Sequence, residues 1–237
     1  MVDCSRRFLV LTTFRRYALP LAATIALVGC ASGAKKNEEA LAEAMPNKTS
    51  SFRNMNTYPG NVTCGEYLDR DYQGFPEFKS FVVIDTVANM RPTKLDVSIF
   101  CSDNPKAALS EALNVDFDEQ QASIMAIMQD FAVLESTLAA YEKDNRQFPM
   151  TDQGLAALVT PTTVGKPPRN FPEGGYLSSI PVDPWGKDYV YQCEPFGGIR
   201  IMYKLRSLGA DGKIGGEGEN ADINYSHMKY YTHVADL

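Results

Sequence analysis

"DFDEQQASIMAIMQDFAVLESTLAAYEKDN", Asp116 to Asn145, is the stretch on which the reading of this chain turns. Apolar side chains recur at Ile124, Ile127, Met128, Phe131, Leu134, Leu138 and Tyr141, at spacings of three and four. That rhythm puts them in one stripe of a long amphipathic helix. Asp116 or Asp118 can accept the free N–H groups of its first turn, and Pro149 ends it, since proline cannot continue a helical ladder. The methionines suit core packing; a promiscuous binding groove is the other use of such residues. An apolar stripe of this length needs a partner layer, and the downstream sequence offers one. "TDQGLAAL" reads as a short second helix capped by Thr151, and "TPTTVGKPPRNFPEGG" as a long loop. "DYVYQC" and "IRIMYKL" then read as aromatic strands joined through "EPFGG" into a hairpin. "DPWG", Asp183 to Gly186, is a turn that sets the only tryptophan, Trp185, between helix and sheet.

After the hairpin comes "SLGADGKIGGEGENADI", Ser207 to Ile223, with five glycines and four carboxylates in seventeen residues. That composition supports neither a helix nor a long strand. It suits a chain wrapped around a hard cation such as Ca²⁺, which takes six to eight oxygen ligands from carboxylates and carbonyls. A solvated acidic turn has the same composition.

Upstream, Arg6, Arg7, Arg15 and Arg16 precede the thirteen apolar residues of "YALPLAATIALVG", a run too short for a comfortable membrane span and right for the core of a signal peptide. Leu27, Val28, Gly29 and Cys30 resemble the bacterial lipobox, so Cys30 is expected to be acylated and to become the first residue of the mature protein. Ala31 follows it, and the lack of Asp there implies sorting to the outer membrane in Gram-negative cells. Residues 1–29 are thus a lipoprotein signal peptide, and residues 30–58 read as a flexible polar linker. With Cys4 removed and Cys30 modified, Cys64, Cys101 and Cys193 remain, an odd number in an oxidising compartment. Leu95, Val97 and Ile99 alternate as in a half-buried strand ending at Cys101, and "FVVID" at 81–85 is a second strand. Residues 59–112 therefore read as a small β-rich subdomain closed by a Cys64–Cys101 disulfide. A zinc site is less apt, because no CxxC and no nearby histidine supplies further ligands.

The formal charge is −6 for the whole chain, and the four arginines of the leader mean that the remainder is more acidic still. Nucleic acid is not expected as a partner, for want of a basic stripe to offset phosphate repulsion. An enzyme is also disfavoured. His227 and His233 are the only histidines, both in the aromatic tail "NYSHMKYYTHVADL". No Ser/His/Asp or Cys/His constellation and no phosphate-cradling GxxxxGK[ST] motif accompanies them, and no small-molecule substrate is evident. Cys193, in a predicted strand, reads as a buried inert thiol.

Three segments, "LESTLAAYEKDNRQFPMTDQGLAALV", "PVDPWGKDYVY" and "SLGADGKIGGEGENADI", together resemble the periplasmic domain of the major pseudopilin of type II secretion, the G subunit. The likeness runs from about Asp130 to Ile223. It implies an α+β fold for residues 113–237, with a long N-terminal helix on a small antiparallel sheet and a C-terminal loop that binds Ca²⁺. Asp211 and Asp222 match the acidic positions that the family places around its calcium. The resemblance implies that the carbonyls of Leu208 and of a residue near Lys213 complete the shell, with Glu219 as a further candidate ligand. The spacing is not that of an EF-hand.

The chain also departs from the family, whose members begin with a short basic leader and a hydrophobic helix that forms the filament core in the inner membrane. Here a lipobox and a cysteine-bearing subdomain stand in that place, so polymerisation by the usual route is not expected. The expected role is a non-enzymatic, lipid-anchored periplasmic protein with a calcium-binding pseudopilin-like domain. Its expected partners are secretion or pilus proteins at the periplasmic face of the outer membrane. The alternative is a calcium-stabilised ligand-binding lipoprotein unrelated to secretion.

Overall fold

A computed structural model describes residues 28–45, 51–196 and 200–237. The expected signal peptide, except Val28 and Gly29, lies outside the described residues, as does the tip of the hairpin at 197–199. Helix α1 (Val28–Ala44) is followed by an antiparallel meander of β1 (Phe52–Tyr58), β2 (Val62–Arg70), β3 (Pro76–Ile84) and β4 (Val87–Asn89). Helices α2 (Lys94–Phe100), α3 (Pro105–Leu113) and α4 (Phe117–Asn145) come next. A second antiparallel sheet consists of β5 (Val190–Phe196), β6 (Arg200–Ser207) and β7 (Ile223–Asn224), and α5 (Met228–Ala235) closes the chain. The long helix on a small antiparallel sheet, preceded by a β-rich part, is the α+β arrangement predicted above.

Helix α4 begins where its caps allow. Asp116 accepts the N–H of Glu119 at 3.2 Å, and Arg146, in the left-handed conformation, donates its N–H to Glu142 and ends the helix. By length and composition α4 could cross a membrane. In this fold its apolar stripe is instead the main core, with Ile124, Ile127, Phe131, Leu134, Leu138 and Tyr141 all fully buried. Each such side chain contributes roughly 1.5–3 kcal/mol on leaving water. Tyr189, just before β5, donates to Asp130 of α4 at 2.6 Å, and Tyr191 of β5 donates to the carbonyl of Pro149, in the segment after α4, at 2.7 Å, so hydroxyls as well as rings hold this edge of the hairpin to the helix and its exit.

The first sheet shows the period of two in its packing. Register pairs Cys64 with Val82 and Gly65 with Phe81. Val62, Cys64 and Val82 face the main core, while Tyr67, Phe81 and Val83 belong to a second cluster on the other face. That second face is covered by Leu41 of α1 and by Met45, just beyond its end. The linker expected at 30–58 is therefore corrected: residues 28–44 are helix and 52–58 a strand, with 46–50 outside the described residues. From Ala34 to Ala44 the helix is Ala, Glu, Lys and Leu, all good helix formers, apart from Asn37, which pins it. Asn37 Nδ2 donates to Asn61 O at 2.8 Å and to Thr63 Oγ1 at 3.1 Å, and its Oδ1 accepts the N–H of Thr86 at 3.1 Å.

Two further expectations are corrected. Leu95, Val97 and Ile99 lie in helix α2 and not in a strand. Thr93 and Asp96 form a reciprocal capping box there, with Asp96 N to Thr93 Oγ1 at 3.0 Å and Thr93 N to Asp96 Oδ2 at 2.7 Å, and this local chemistry outweighs the alternation. Leu155–Leu158 is a single 3₁₀ turn that Thr151 does not cap. The Thr151 hydroxyl instead bridges to β5, accepting from Cys193 N at 2.8 Å and donating to Cys193 O at 2.9 Å. The Cys64–Cys101 disulfide is present and Cys193 is a buried free thiol whose pKa is raised by burial. Residues 59–112 and 113–237 share one core: Val62, Val82, Ile99 and Phe100 pack in the same cluster as α4 and α5.

Candidate functional site

The acidic loop is a closed excursion between two paired strands. Ser207 of β6 and Ile223 of β7 are register partners, as are Arg206 and Asn224, so the loop leaves and re-enters the sheet at one point. Its base is tied to the "DPWG" turn. Ser207 Oγ donates to the buried Asp183 Oδ2 at 2.6 Å and accepts the N–H of Gly209 at 3.1 Å. The other oxygen of Asp183 accepts the N–H groups of Trp185 and Lys187, at 3.1 and 2.8 Å. One carboxylate thus sets the turn, the half-buried Trp185 and the mouth of the loop together.

Within the loop, glycine is required by close approach. Gly209 and Gly216 have φ of +66° and +99°, and a Cβ on either would meet backbone of Glu219 or Asn220 at 2.7 and 2.3 Å. The N–H of Ala210 donates to Glu219 O at 2.8 Å, drawing the two limbs together, and the N–H of Gly218 donates to Asn114 O at 2.8 Å, tying the loop to the residue that caps the end of α3.

The predicted ligands fall as follows. Asp211 is exposed and accepts the N–H of Lys213 at 2.9 Å. Asp222 is partly buried and accepts the N–H of Gly215 at 3.1 Å, with Arg206 at 3.4 Å on its second oxygen. Each carboxylate thus accepts one main-chain N–H of the 213–215 segment, Asp211 from Lys213 and Asp222 from Gly215. The carbonyls of Leu208 and Lys213 accept no hydrogen bond among the described residues. Glu219 takes part through its main-chain carbonyl, and its side chain is exposed. Among the described residues no group of three or more His, Cys, Asp or Glu side chains is poised around one point. The loop offers two carboxylates and several carbonyls, an all-oxygen set whose chemistry fits a hard cation and not a thiophilic one.

Cys30 lies near the start of α1, within the described backbone. Sequence reasoning missed two polar links that hold the molecule together, Asn37 under α1 and a buried carboxylate, Asp96, in α2. Asp96 pairs with Lys229 of α5 and accepts from Tyr230 Oη at 2.9 Å. The capping-box signature "TKLD" could have flagged Asp96; nothing local flags its partners, which are 133 and 134 residues away.

Residues 114–226 match the family model described as type II secretion system (T2SS), protein G. Type II secretion system core protein G of Vibrio cholerae is 44% identical over 106 residues, covering 45% of this chain and 70% of that protein. The same protein of Pseudomonas aeruginosa is 42% identical over 103 residues, covering 44% and 70%, and that of Escherichia coli K12 is 35% identical over 112 residues, covering 47% and 75%. Among solved structures, the major pseudopilin of the type 2 secretion system of enterohaemorrhagic E. coli is 38% identical and covers 47% of this chain and 93% of that one, with a TM-score of 0.40. The long helix, the aromatic hairpin and the glycine-rich acidic loop all fall inside the matched span, and the chain belongs to the type II secretion system protein G family.

Proposed function

We propose that this protein is a non-enzymatic, lipid-anchored component of type II secretion, in which a calcium-binding pseudopilin head is carried on an N-terminal sheet at the periplasmic face of the outer membrane. The observation that carries the reading is the family match over residues 114–226, which contains the whole acidic loop up to Asp222. Asp211 and Asp222 would hold Ca²⁺ with the carbonyls of Leu208 and of or near Lys213, and Glu219 is the further candidate. The bound ion supplies neutralisation of the loop's clustered negative charge. The chain's own part is to present the oxygens: Ser207 and Asp183 fix the mouth, and Gly209 and Gly216 let the limbs close.

The anchor would be Cys30. Because Cys30 lies in α1, and α1 is docked through Leu41 with Met45 just beyond its end, an acyl chain there would hold the first sheet close to the membrane and not on a slack tether. The N-terminal half of α4 is occupied by the core through Phe117 and Ile124, which favours a fixed assembly component over a filament subunit. Family membership favours secretion-system partners over a ligand-binding role unrelated to secretion.

Affinity purification of the full chain from solubilised envelopes of secreting cells tests the proposal. Secretion-system subunits should co-purify with the wild type, and Cys30→Ala should leave the membrane fraction. Consistent absence of those subunits, with the protein folded and abundant, would overturn the secretion role.

A further inference from the structure

Between the first sheet and α5 lies a cleft of about 430 Å³ that the pseudopilin reading does not use. Val82, Ile84 and Phe100 give it an apolar floor, and Val87 and Leu237 stand at its edges. His233 lines it from α5. Gly60, with φ of +73°, lets the chain pass against the imidazole; a Cβ there would meet His233 Cε1 at 2.5 Å. The ring packs edge-on to Phe100 at 5.1 Å, is 9% exposed, and its Nε2 is buried with no hydrogen-bond partner. Burial depresses its pKa, with Asp85 and Asp236 acting in the opposite direction, so both carboxylates lie within electrostatic reach of the ring.

The charges in the cleft are unevenly matched. Asp96 is answered by Lys229. Asp85 and Asp236 are exposed, and among the described residues neither takes part in an ion pair; Asp85 accepts one bond of 3.4 Å from Asn61 Nδ2. An apolar floor, an unpaired buried ring nitrogen and two unpaired carboxylates at the mouth are complementary to a small cation with a hydrocarbon body. We propose that this cleft binds a small organic ammonium ion, with its hydrocarbon part on Val82, Ile84 and Phe100 and its N–H donors on Asp85 and Asp236. The site is separate from the acidic loop and does not depend on calcium.

With only two histidines in the chain, ring-proton NMR of the full protein reads the site directly. Benzylammonium should give a saturable shift of the His233 resonances, and benzyl alcohol and phenylacetate should bind about tenfold more weakly or not at all. The Asp85→Asn/Asp236→Asn double variant changes only exposed groups, so it should fold and lose about tenfold in benzylammonium affinity. No saturable shift with benzylammonium, equal binding of phenylacetate, or an unchanged affinity in the double variant would each overturn the proposal.

Discussion

The head and the N-terminal part each lay a helix on an antiparallel sheet, yet they are held in different ways. In the head, α4 buries ten side chains, and an aromatic hairpin fills the opposite face. In the N-terminal part, α1 buries Leu41 and the polar Asn37, with Met45 just beyond its end. That smaller apolar contact is supplemented by a disulfide, by the hydrogen bonds of Asn37 and by the Asp96–Lys229 pair reaching across to α5. A large apolar stripe lets one element specify its own place, whereas a small one needs covalent and polar pins from elsewhere in the chain.

The largest expected effect is in the head. Phe131 is fully buried between Tyr189 and Tyr225, and Phe131→Ala should cost about 3–5 kcal/mol in urea unfolding. A loss below 1 kcal/mol would mean that the α4 stripe does not carry the fold. Next comes the disulfide, which spans a sequence separation of 37 residues and should contribute roughly 3–4 kcal/mol in the chain-entropy model. Peptide mapping of the unreduced protein should recover Cys64 joined to Cys101, and a linkage through Cys193 would contradict the division of labour between the two regions.

These differences decide what could be read in advance. The α4 stripe and the β5–β6 hairpin were legible because each rests on strong local periodicity; the Cys64–Cys101 pair was read correctly, but from a strand ending at Cys101 that is in fact helix α2. Helix α1 was not, since "KKNEEALAEA" presents only Leu41 and a few alanines as its apolar face and reads as a tether. The α2 segment misled for the opposite reason: Leu95, Val97 and Ile99 do alternate, and the capping box of Thr93 and Asp96 prevailed. Of the acidic loop, its composition and its two aspartates were legible; the Asp183–Ser207 anchor, between residues 24 apart, was not.

A third effect concerns calcium. At a free concentration a hundred times its dissociation constant, Ca²⁺ bound only by the folded loop should add about 2.7 kcal/mol, so a chelator should lower the melting temperature. Asp211→Ala and Asp222→Ala should each lose most of that response, while Lys213→Ala keeps it, since only a main-chain carbonyl there could be a ligand.

The smallest effect should appear on acidification, and mostly at the junction. Burial alone would raise the pKa of Asp96, but Lys229, Thr93 and Tyr230 outweigh it and the net shift is downward. Its contribution is therefore present above the unfolded carboxylate pKa of ~3.9 and lost as pH falls through the lower folded value. His233 and His227 are also lowered, first of all by burial, so their share is complete above ~6.5 and lost as pH drops from there. Melting temperature against pH should show two separate declines. Asp96→Asn should flatten the lower one and cost roughly 1–2 kcal/mol near neutrality, a figure reduced because Lys229 is half exposed. An unchanged lower decline would show that the pair does not hold the two regions together.

If the C-terminal loop of the pseudopilin head closes around calcium as proposed, the loop should respond to the ion while the N-terminal sheet does not. Hydrogen–deuterium exchange of the full chain, with Ca²⁺ and with a chelator, tests it most directly. Exchange should slow with Ca²⁺ in residues 207–223 and the ends of β6 and β7, change little in β1–β4, and show no response in Asp222→Ala. Equal exchange in the loop under both conditions, or the same response in wild type and Asp222→Ala, would contradict it.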